Sequence, residues 1–279
     1  VVTHNAAMSA CEKARHWQQL LATLAEVRGR GIPLQAVSCN AAISACDRVQ
    51  QWPRALGFLA GSLGASTPPS LVSFNAALSA LETGFQWERA LRVLADLRLR
   101  RGLLPDVVSF NSALSACAAE GAWRQSLALF GALCLSGPVA PDLITYNAEV
   151  TACANGREWQ RALGLFAQAA GGGADPHAGL RPSVVTCSAA VEACGASRHW
   201  EVALELLAFM ERAGLTPNIV TCNSLATACA SGPEQPPAAA SLLEEAARAG
   251  RALLAAEGRS RLSGGPQERE HAQRGLLRS

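Results

Sequence analysis

The chain has 279 residues, of which 49% are hydrophobic and 16% charged, and its formal net charge is +2. No apolar run has the length and flanks of a membrane span, so we expect no membrane contact. Seven arginines and three glutamates fall in residues 248–279, which leaves 17 basic and 19 acidic residues in 1–247 and disfavours a broadly basic surface.

One short phrase recurs along most of the chain. An example is "VVSFNSALSAC" at 107–117, and its fifth residue returns at spacings of 35, 35, 36, 36, 41 and 35 residues. A tryptophan follows twelve residues later in six units, and a proline stands next to last in most of them. The fifth positions hold Asn5, Asn40, Asn75, Asn111, Asn147, Ser188 and Asn223. A repeat of this period indicates stacked copies of one supersecondary unit.

Each unit is predicted to contain two helices. The first starts near the Ser or Thr of "V-S/T-x-N", whose hydroxyl can cap free backbone N–H groups, and continues with apolar residues at helical spacing. After a polar break such as "ETGFQ", the second helix starts at the tryptophan and ends at Gly and Pro. Because one hairpin cannot bury its apolar face alone, neighbours must stack. The predicted fold is all-α, an α-solenoid of helix-turn-helix hairpins of about 35 residues.

The units divide the chain into three predicted regions. The repeat array covers 1–230, a degenerate or capping helix 231–257, and a disordered basic tail 258–279. Because Val1 already lies inside a repeat phrase, we expect the chain to be a piece of a longer or processed protein. The units of the array are 1–35, 36–70, 71–106, 107–142, 143–183 and 184–218, with a partial seventh from 219.

Ten cysteines raise the question of a metal site or disulfides. Six of them occupy the eleventh position of their units and three the fourth, with Cys134 alone out of phase. Equivalent positions in stacked hairpins lie about 10 Å apart, too far for a disulfide or a shared metal. We therefore expect small buried core residues, no metal and no cofactor. The glycine-rich stretch 171–179 lacks the Lys-Ser/Thr of a phosphate loop and indicates a loop insertion.

The phrase "V-V-S-F-N-x-A-L-S-A-C", the pattern "W-x-x-A-L-x-L-L", the closing "L-x-P-D" and the 35-residue period resemble the pentatricopeptide repeat family, in its P-type repeats. The resemblance covers about residues 1–230. The tetratricopeptide family is the nearest alternative, but it has a 34-residue period and its tryptophan lies early in the first helix. The resemblance implies a right-handed solenoid that binds single-stranded RNA, one base per unit.

The resemblance also implies site residues. In the family the fifth and last residues of a unit read the base, and the second wedges between bases. Carried onto this chain, the base-reading residues are Asn5, Gln35, Asn40, Ser70, Asn75, Asp106, Asn111, Asp142, Asn147, Ser183, Ser188, Asn218 and Asn223. The wedges are Val2, Val37, Val72, Val108, Ile144, Val185 and Val220. In the family's code, the second to sixth units would read 5′-C-U-U-C-A-3′, and the first an undefined pyrimidine.

Two alternatives stay open at this stage. The asparagine and the aspartate could serve only as helix caps. The array could also be a protein-interaction scaffold of the tetratricopeptide type, which the weakly acidic body favours. An RNA enzyme would need a catalytic domain outside this chain, so we expect no enzymatic activity. The partner implied by the resemblance is single-stranded RNA, with protein partners as an addition.

The family also implies a setting and a surface. RNA processing, stability, editing or translation in an organelle is expected, with a chloroplast ahead of a mitochondrion. If RNA is bound, we expect the arginines of the second helices to cluster beside the line of base-reading residues. These are Arg54, Arg89, Arg124 and Arg161.

Overall fold

The computed structural model describes residues 18–19, 22–23, 26, 36–62, 69–135, 139–171 and 181–230. Regular structure within those ranges is α-helical throughout, and eleven helices have defined bounds, which confirms the all-α prediction. The helices are α1 (Ala36–Arg48), α2 (Trp52–Ser62), α3 (Leu71–Thr83), α4 (Trp87–Arg101), α5 (Val107–Ala119), α6 (Trp123–Leu135), α7 (Leu143–Asn155), α8 (Trp159–Ala169), α9 (Val184–Ala196), α10 (Trp200–Arg212) and α11 (Ile219–Ala230). The predicted helix over 231–257 and the predicted tail over 258–279 lie outside the described residues.

The first helix of each unit begins earlier than its hydroxyl residue suggested. α5 starts at Val107, and its N-cap is Asp106, the last residue of the preceding unit. The Asp106 carboxylate accepts from the Ser109 backbone N–H, and the Ser109 hydroxyl accepts from the Asp106 N–H, which forms a capping box. The hydroxyl that recurs in each phrase is therefore the third helical residue, and the N-cap is the last residue of the preceding unit.

The turn between the two helices of a unit uses a left-handed backbone residue at one fixed position. Phe85 and Arg157 have φ of 55° and 60° there, and Gly121 has φ of 65°. The next N–H then bonds back to the eleventh residue of the unit, as from Gln86 to the Leu81 carbonyl at 2.9 Å. This Schellman-type ending closes the first helix and starts the second at the tryptophan.

The helices pack as a regular succession of hairpins within each of two compact units, and the boundary between these units in the sequence lies between Pro182 and Ser183. In the first unit, α1 packs on α2 and α3, α3 on α4 and α5, α5 on α6 and α7, and α7 on α8. In the second, α9 packs on α10 and α11, and α10 on α11. Within the compact units, α1, α3, α5 and α9 thus each contact both their own partner helix and the first helix of the next hairpin, as a solenoid requires.

The core runs between hairpins and is not enclosed within any one of them. Ile43, Leu59, Phe74 and Leu97, from α1 to α4, form one buried cluster. A second cluster includes Leu78, Leu94, Phe110 and Leu133 from α3 to α6. Because each cluster draws on two consecutive hairpins, a single hairpin would leave its apolar face in water.

Most of the described cysteines are buried, as the sequence predicts. Seven of the nine described cysteines are buried, Cys222 is half-buried and Cys134 is exposed, and all nine are free thiols. Burial raises the pKa of the Cys153 thiol to about 12 and that of Cys194 to about 11. Within the described part of the chain, no group of three or more His, Cys, Asp or Glu could hold a metal ion, and no helix has the length and apolar character of a membrane span.

Candidate nucleic-acid interface

The fifth residue of one unit and the last residue of the same unit meet although they are 31 positions apart. The Asn75 amide Nδ2 donates to both carboxylate oxygens of Asp106, at 3.1 Å to Oδ1 and 3.2 Å to Oδ2. Asn75 lies one turn inside α3, and Asp106 caps the neighbouring helix α5. The packing of α3 on α5 is what brings the two side chains together.

A third side chain completes this cluster. The Ser109 hydroxyl lies 2.5 Å from Asn75 Oδ1 and 2.8 Å from Asp106 Oδ1, and can donate to either oxygen. Asp106 Oδ1 therefore faces three donors, from the Ser109 backbone, the Ser109 hydroxyl and the Asn75 amide. Asp106 Oδ2 contacts only the Asn75 amide among the described residues. One acceptor oxygen and the second amide hydrogen of Asn75 remain for an external ligand.

The next unit repeats the arrangement with different side chains. Asn111 Nδ2 donates to Asp142 Oδ1 at 3.1 Å, and the Thr145 hydroxyl lies 2.7 Å from Asn111 Oδ1 and 2.8 Å from Asp142 Oδ1. The Thr145 backbone N–H also donates to Asp142 Oδ1 at 2.8 Å. Asp142 Oδ2 has no partner in the described ranges, so it can accept a hydrogen bond from an external ligand.

Both aspartates are held in their charged form. Partial burial alone would raise the pKa of Asp106, but hydrogen bonds from the Ser109 N–H, the Ser109 hydroxyl and the Asn75 amide outweigh it and lower that pKa. The same balance, with donors from Thr145 and Asn111, lowers the pKa of Asp142. At neutral pH both side chains are carboxylates, and each can only accept hydrogen bonds from a ligand.

The site of the unit 36–70 lacks a carboxylate. The Ser73 hydroxyl donates to Asn40 Oδ1 at 2.5 Å, as Ser109 does toward Asn75. Ser70 caps α3 and its hydroxyl lies 3.4 Å from that of Ser73. The Asn40 amide nitrogen has no partner among the described residues, so this site offers donors where the two aspartate sites offer a donor and an acceptor.

In the unit 184–218 the hydroxyl residue stands at the fifth position and the asparagine at the last position. The Ser188 hydroxyl lies 2.7 Å from the Thr221 hydroxyl and 3.3 Å from Asn218 Oδ1. Asn218 Oδ1 also accepts from the Thr221 backbone N–H at 2.8 Å and caps α11. Since its oxygen is used for the cap, Asn218 is left with its amide hydrogens.

The remaining base-reading candidates are not brought together within one compact unit. Asn147 is half-buried on α7 in the first unit, and Ser183 caps α9 in the second. Asn223 is exposed on α11. Asn5, Gln35 and Val2 lie outside the described residues, as does the Val37 side chain.

The second residues of the units form a set of exposed aliphatic side chains. Val72, Val108 and Ile144 are 63%, 56% and 59% exposed although each lies in the first turn of a packed helix. Val185 and Val220 are 58% and 45% exposed on α9 and α11. An exposed aliphatic residue at the same position in the first helices of five successive units is unexplained by core packing.

The capping alternative is right for one member of each pair. Asp106, Asp142 and Ser183 do cap helices, and each accepts from the third residue of the following helix. The asparagines do not cap: Asn75 and Asn111 are the fifth residues of α3 and α5. Capping therefore explains the last position of a unit and leaves the fifth position, and its bond to the last, unexplained.

The expectation that the arginines flank the polar pairs is wrong for Arg89, Arg124 and Arg161. The guanidinium of Arg89 lies 4.2 Å from the centre of the Trp52 ring, and those of Arg161 and Arg124 lie 4.4 and 4.6 Å from the Trp123 ring. The tryptophans pack at the far end of the first helices. A Cβ at Gly84, the C-cap of α3, would lie 2.4 Å from Trp52 Cδ1. Gly84 is nine residues, roughly 13 Å, from Asn75 along the helix.

The sequence interpretation missed the third residue of the unit as a member of the cluster. Ser73, Ser109, Thr145 and Thr221 each bond to a fifth residue 33 or 34 positions earlier. The signal that could have found them is the invariable hydroxyl at this position, three residues after a capping residue, which is typical of a capping box. From the sequence alone, this hydroxyl is predicted to be the N-cap.

Comparisons with known proteins find pentatricopeptide repeats. The PPR repeat family matches residues 182–231. The crystal structure of the pentatricopeptide repeat protein PPR10 from maize is 28% identical with a TM-score of 0.61, over 89% of this chain and 34% of that one. PPR10 in complex with an 18-nt psaJ RNA element is 25% identical with a TM-score of 0.67, over 94% of this chain and 38% of that one.

A more distant structure shares the fold. The PPR domain of Arabidopsis thaliana protein-only RNase P 1, in complex with tRNA, is 14% identical with a TM-score of 0.52, over 59% of this chain and 86% of that one. No curated protein matches the sequence. The chain spans little more than a third of the length of the PPR10 chains. Its repeated phrase and its stacked hairpins are therefore similar to those of pentatricopeptide repeat proteins.

Proposed function

We propose that the chain binds single-stranded RNA and that each complete unit contacts one base through its fifth and last residues. The observation that carries this proposal is the pair of clusters Asn75–Asp106 and Asn111–Asp142, each with a carboxylate Oδ2 that can accept a further hydrogen bond and an amide hydrogen that can donate one. The complex of PPR10 with an 18-nt RNA element supports the choice of ligand, because that solved chain is similar over 94% of this one. The same similarity disfavours the alternative of a peptide-binding scaffold.

The two aspartate clusters fit uracil. An ionised carboxylate needs a hydrogen-bond donor, and uracil presents N3–H beside two carbonyl acceptors that the asparagine amide can contact. Cytosine presents an unprotonated N3 at the same place, which a carboxylate repels. The lowered pKa of both aspartates keeps them ionised at neutral pH and so maintains this discrimination.

The other two described pairs favour different bases. The pair Asn40–Ser70 has an amide donor and no carboxylate, which suits the N3 and O2 acceptors of cytosine. The pair Ser188–Asn218 offers amide hydrogens from Asn218, whose oxygen is occupied by the cap, and these suit the N1 acceptor of adenine. With cytosine at the pair Asn147–Ser183, we propose the core 5′-C-U-U-C-A-3′ for the units from 36 to 218.

The exposed aliphatic row has a role in the same complex. Bases inserted between Val72, Val108 and Ile144 would cover apolar surface that is now more than half exposed. This contact contributes affinity without selecting a sequence, because every base has an apolar face. Val37, Val185 and Val220 hold the same position of their units, as Val2 does in the first, and we propose the same role for each.

Selection from random RNA tests the proposal. The purified chain should enrich a C-U-U-C-A-like core at moderate salt. Asp106→Asn and Asp142→Asn should each shift the preference at one position away from uracil. Asp47→Asn is the matched control, since Asp47 accepts hydroxyl hydrogen bonds from Ser79 and Thr83 and belongs to no pair. Failure to enrich any single-stranded RNA would reject the proposal.

The wider setting is proposed from the family. We propose that the array spans 1–230, with a capping helix over 231–257 and a basic tail over 258–279, and that it supplies specificity without being an enzyme. Its service would be RNA processing, stability, editing or translation in an organelle, a chloroplast ahead of a mitochondrion. A fluorescent fusion of the whole protein, imaged with markers for both organelles, tests the location.

A further inference from the structure

The hydroxyl of the third residue of the next unit contacts both members of a pair, the fifth and the last residue of the unit before it. The Thr145 hydroxyl accepts from the Asp142 backbone N–H at 3.1 Å, so its own hydrogen must point elsewhere. The two acceptors within reach are Asn111 Oδ1 at 2.7 Å and Asp142 Oδ1 at 2.8 Å. Ser109 has the same three contacts with Asp106 and Asn75. The backbone of the capping residue thus orients the hydroxyl toward the side chains of the pair.

We propose that Ser109 and Thr145 are positioning residues for base selection, an inference that rests on the proposed function. Each hydroxyl occupies the asparagine oxygen, so that the amide can offer only N–H groups to a base. With that oxygen free, the amide would accept from the exocyclic amino group of cytosine or adenine, and the site would admit both. The hydroxyl therefore narrows the pair to one donor and one acceptor, the complement of uracil.

The same contact recurs where the pair is different. Ser73 donates to Asn40 Oδ1 at 2.5 Å, and the Thr221 hydroxyl lies 2.7 Å from the Ser188 hydroxyl. The contact is therefore present in all four described pairs whose two members belong to the same compact unit. A hydroxyl that served only as a cap would need to contact just the residue three positions before it.

The test measures base preference at two neighbouring positions. Dissociation constants are determined for short single-stranded RNAs that carry U, C or A at the position of Asn75–Asp106, and separately at that of Asn111–Asp142. Ser109→Ala should reduce the U-over-C preference at the first position by about three- to tenfold, the range for one hydrogen bond. The preference at the second position should stay unchanged, and Ser109→Thr should restore the first.

Two further variants keep the test decisive if Ser109→Ala folds poorly. Thr145→Val removes the hydroxyl with little change of shape and should relax the second position only. Ser115→Ala removes another hydroxyl of the same helix, one that bonds to Glu82, and should change neither preference. Thermal unfolding of each variant reports the loss of the cap.

The outcomes separate this inference from the proposed function. If the unaltered chain binds no RNA, the proposed function fails. If the unaltered chain prefers uracil and both hydroxyl variants keep that preference in full, the positioning role is overturned. An equal loss of affinity for all RNAs, with the preferences intact, would also overturn it, because it would show a role in stability alone.

Discussion

Ser126 donates a hydrogen bond of 2.5 Å to Glu149 Oε2, and both side chains are fully buried between α6 and α7. Glu149 Oε1 has no partner among the described groups. Both residues depart from the repeat at matched positions. The residue equivalent to Ser126 is Ala90 in the preceding unit, and the residue equivalent to Glu149 is Ala113. A buried polar pair has replaced a pair of alanines at one interface between hairpins.

This carboxyl makes stability depend on pH. Burial raises the pKa of Glu149 from 4.5 to about 7, with the bond from Ser126 opposing the rise. Between those pH values the folded chain keeps a proton that the unfolded chain has lost, so the free energy of unfolding falls as pH rises from about 4.5 to 7 and is level above. The loss is on the order of 3 kcal/mol.

Urea unfolding at pH 5, 6, 7 and 8 measures this dependence. Glu149→Gln should remove most of the slope, because the amide has a similar shape and does not titrate. The lowered pKa values of Asp106 and Asp142 affect stability only toward more acidic pH, below about 4, where they take up protons. A slope that is equal in the unaltered chain and in Glu149→Gln would contradict the assignment.

Contacts between hairpins set the second prediction. A Cβ at Gly156 would lie 2.1 Å from Cδ1 of Trp123, a ring that Arg124 and Arg161 also contact. Gly156→Ala should therefore destabilise the chain by about 2 kcal/mol or more, since overpacking forces a large ring to move. Gly164→Ala is the matched control: a Cβ there meets nothing within 4 Å inside α8. It should stabilise by up to about 1 kcal/mol. Thermal unfolding of both variants distinguishes the two effects.

The turn between the helices gives a prediction of opposite sign. Arg198 is exposed and has φ of 62°, at the position where Gly121 has φ of 65°. Arg198→Gly should stabilise by about 0.5–1 kcal/mol, because a left-handed backbone strains a residue with a Cβ more than glycine loses in entropy. Gly121→Ala should destabilise by a similar amount. If both substitutions destabilise the chain in urea, side-chain contacts outweigh the backbone conformation.

Much of this fold was predictable because the repeat keeps its phase. The tryptophan marks the start of the second helices without exception from Trp52 to Trp200. The sequence predicts the hydroxyl residue as the N-cap of each first helix, three residues after the true N-cap, which belongs to the preceding unit. Local propensity cannot distinguish the N-cap from the N3 position of a capping box. That distinction depends on which backbone groups are already bonded.

The candidate site was predictable in its members and less so in its surroundings. The recurrence marked the fifth and last positions of each unit, and the family resemblance implied the pairs Asn75–Asp106 and Asn111–Asp142. The bond of Ser109 to Asn75 joins residues 34 positions apart and depends on how α3 packs on α5. The arginines were misplaced because the period gives their order along the chain and not the end of the hairpin at which they lie. Sequence alone was equally silent on Ser126 and Glu149, whose contact is tertiary.

The charge of the first helices leads to a prediction about salt. The first helices of the six described units contain one basic residue, Arg48, and four acidic residues. These helices are α1, α3, α5, α7, α9 and α11. Each phosphate neutralised in single-stranded nucleic acid adds about −0.7 to the slope of log K against log salt. With few cations beside the polar pairs, the slope should be no steeper than about −1.4. Binding of a C-U-U-C-A RNA, measured at salt concentrations from about 50 to about 200 mM, gives this slope. A slope of about −3 or steeper would place phosphate contacts elsewhere on the chain.

The exposed aliphatic row separates affinity from selectivity. Val108 is 56% exposed two residues after Asp106, and Leu104 is 71% exposed two residues before it. If Val108 packs between neighbouring bases, Val108→Ala should weaken binding about fivefold for every RNA, since it removes apolar contact worth about 1 kcal/mol. The preference for uracil at the two aspartate positions should not change, because the polar pairs stay intact. Leu104→Ala removes a comparable exposed side chain outside the row and should leave binding unchanged. Equal effects of the two substitutions in a filter-binding assay would mean that position within the unit does not matter, and the wedge assignment would then be lost.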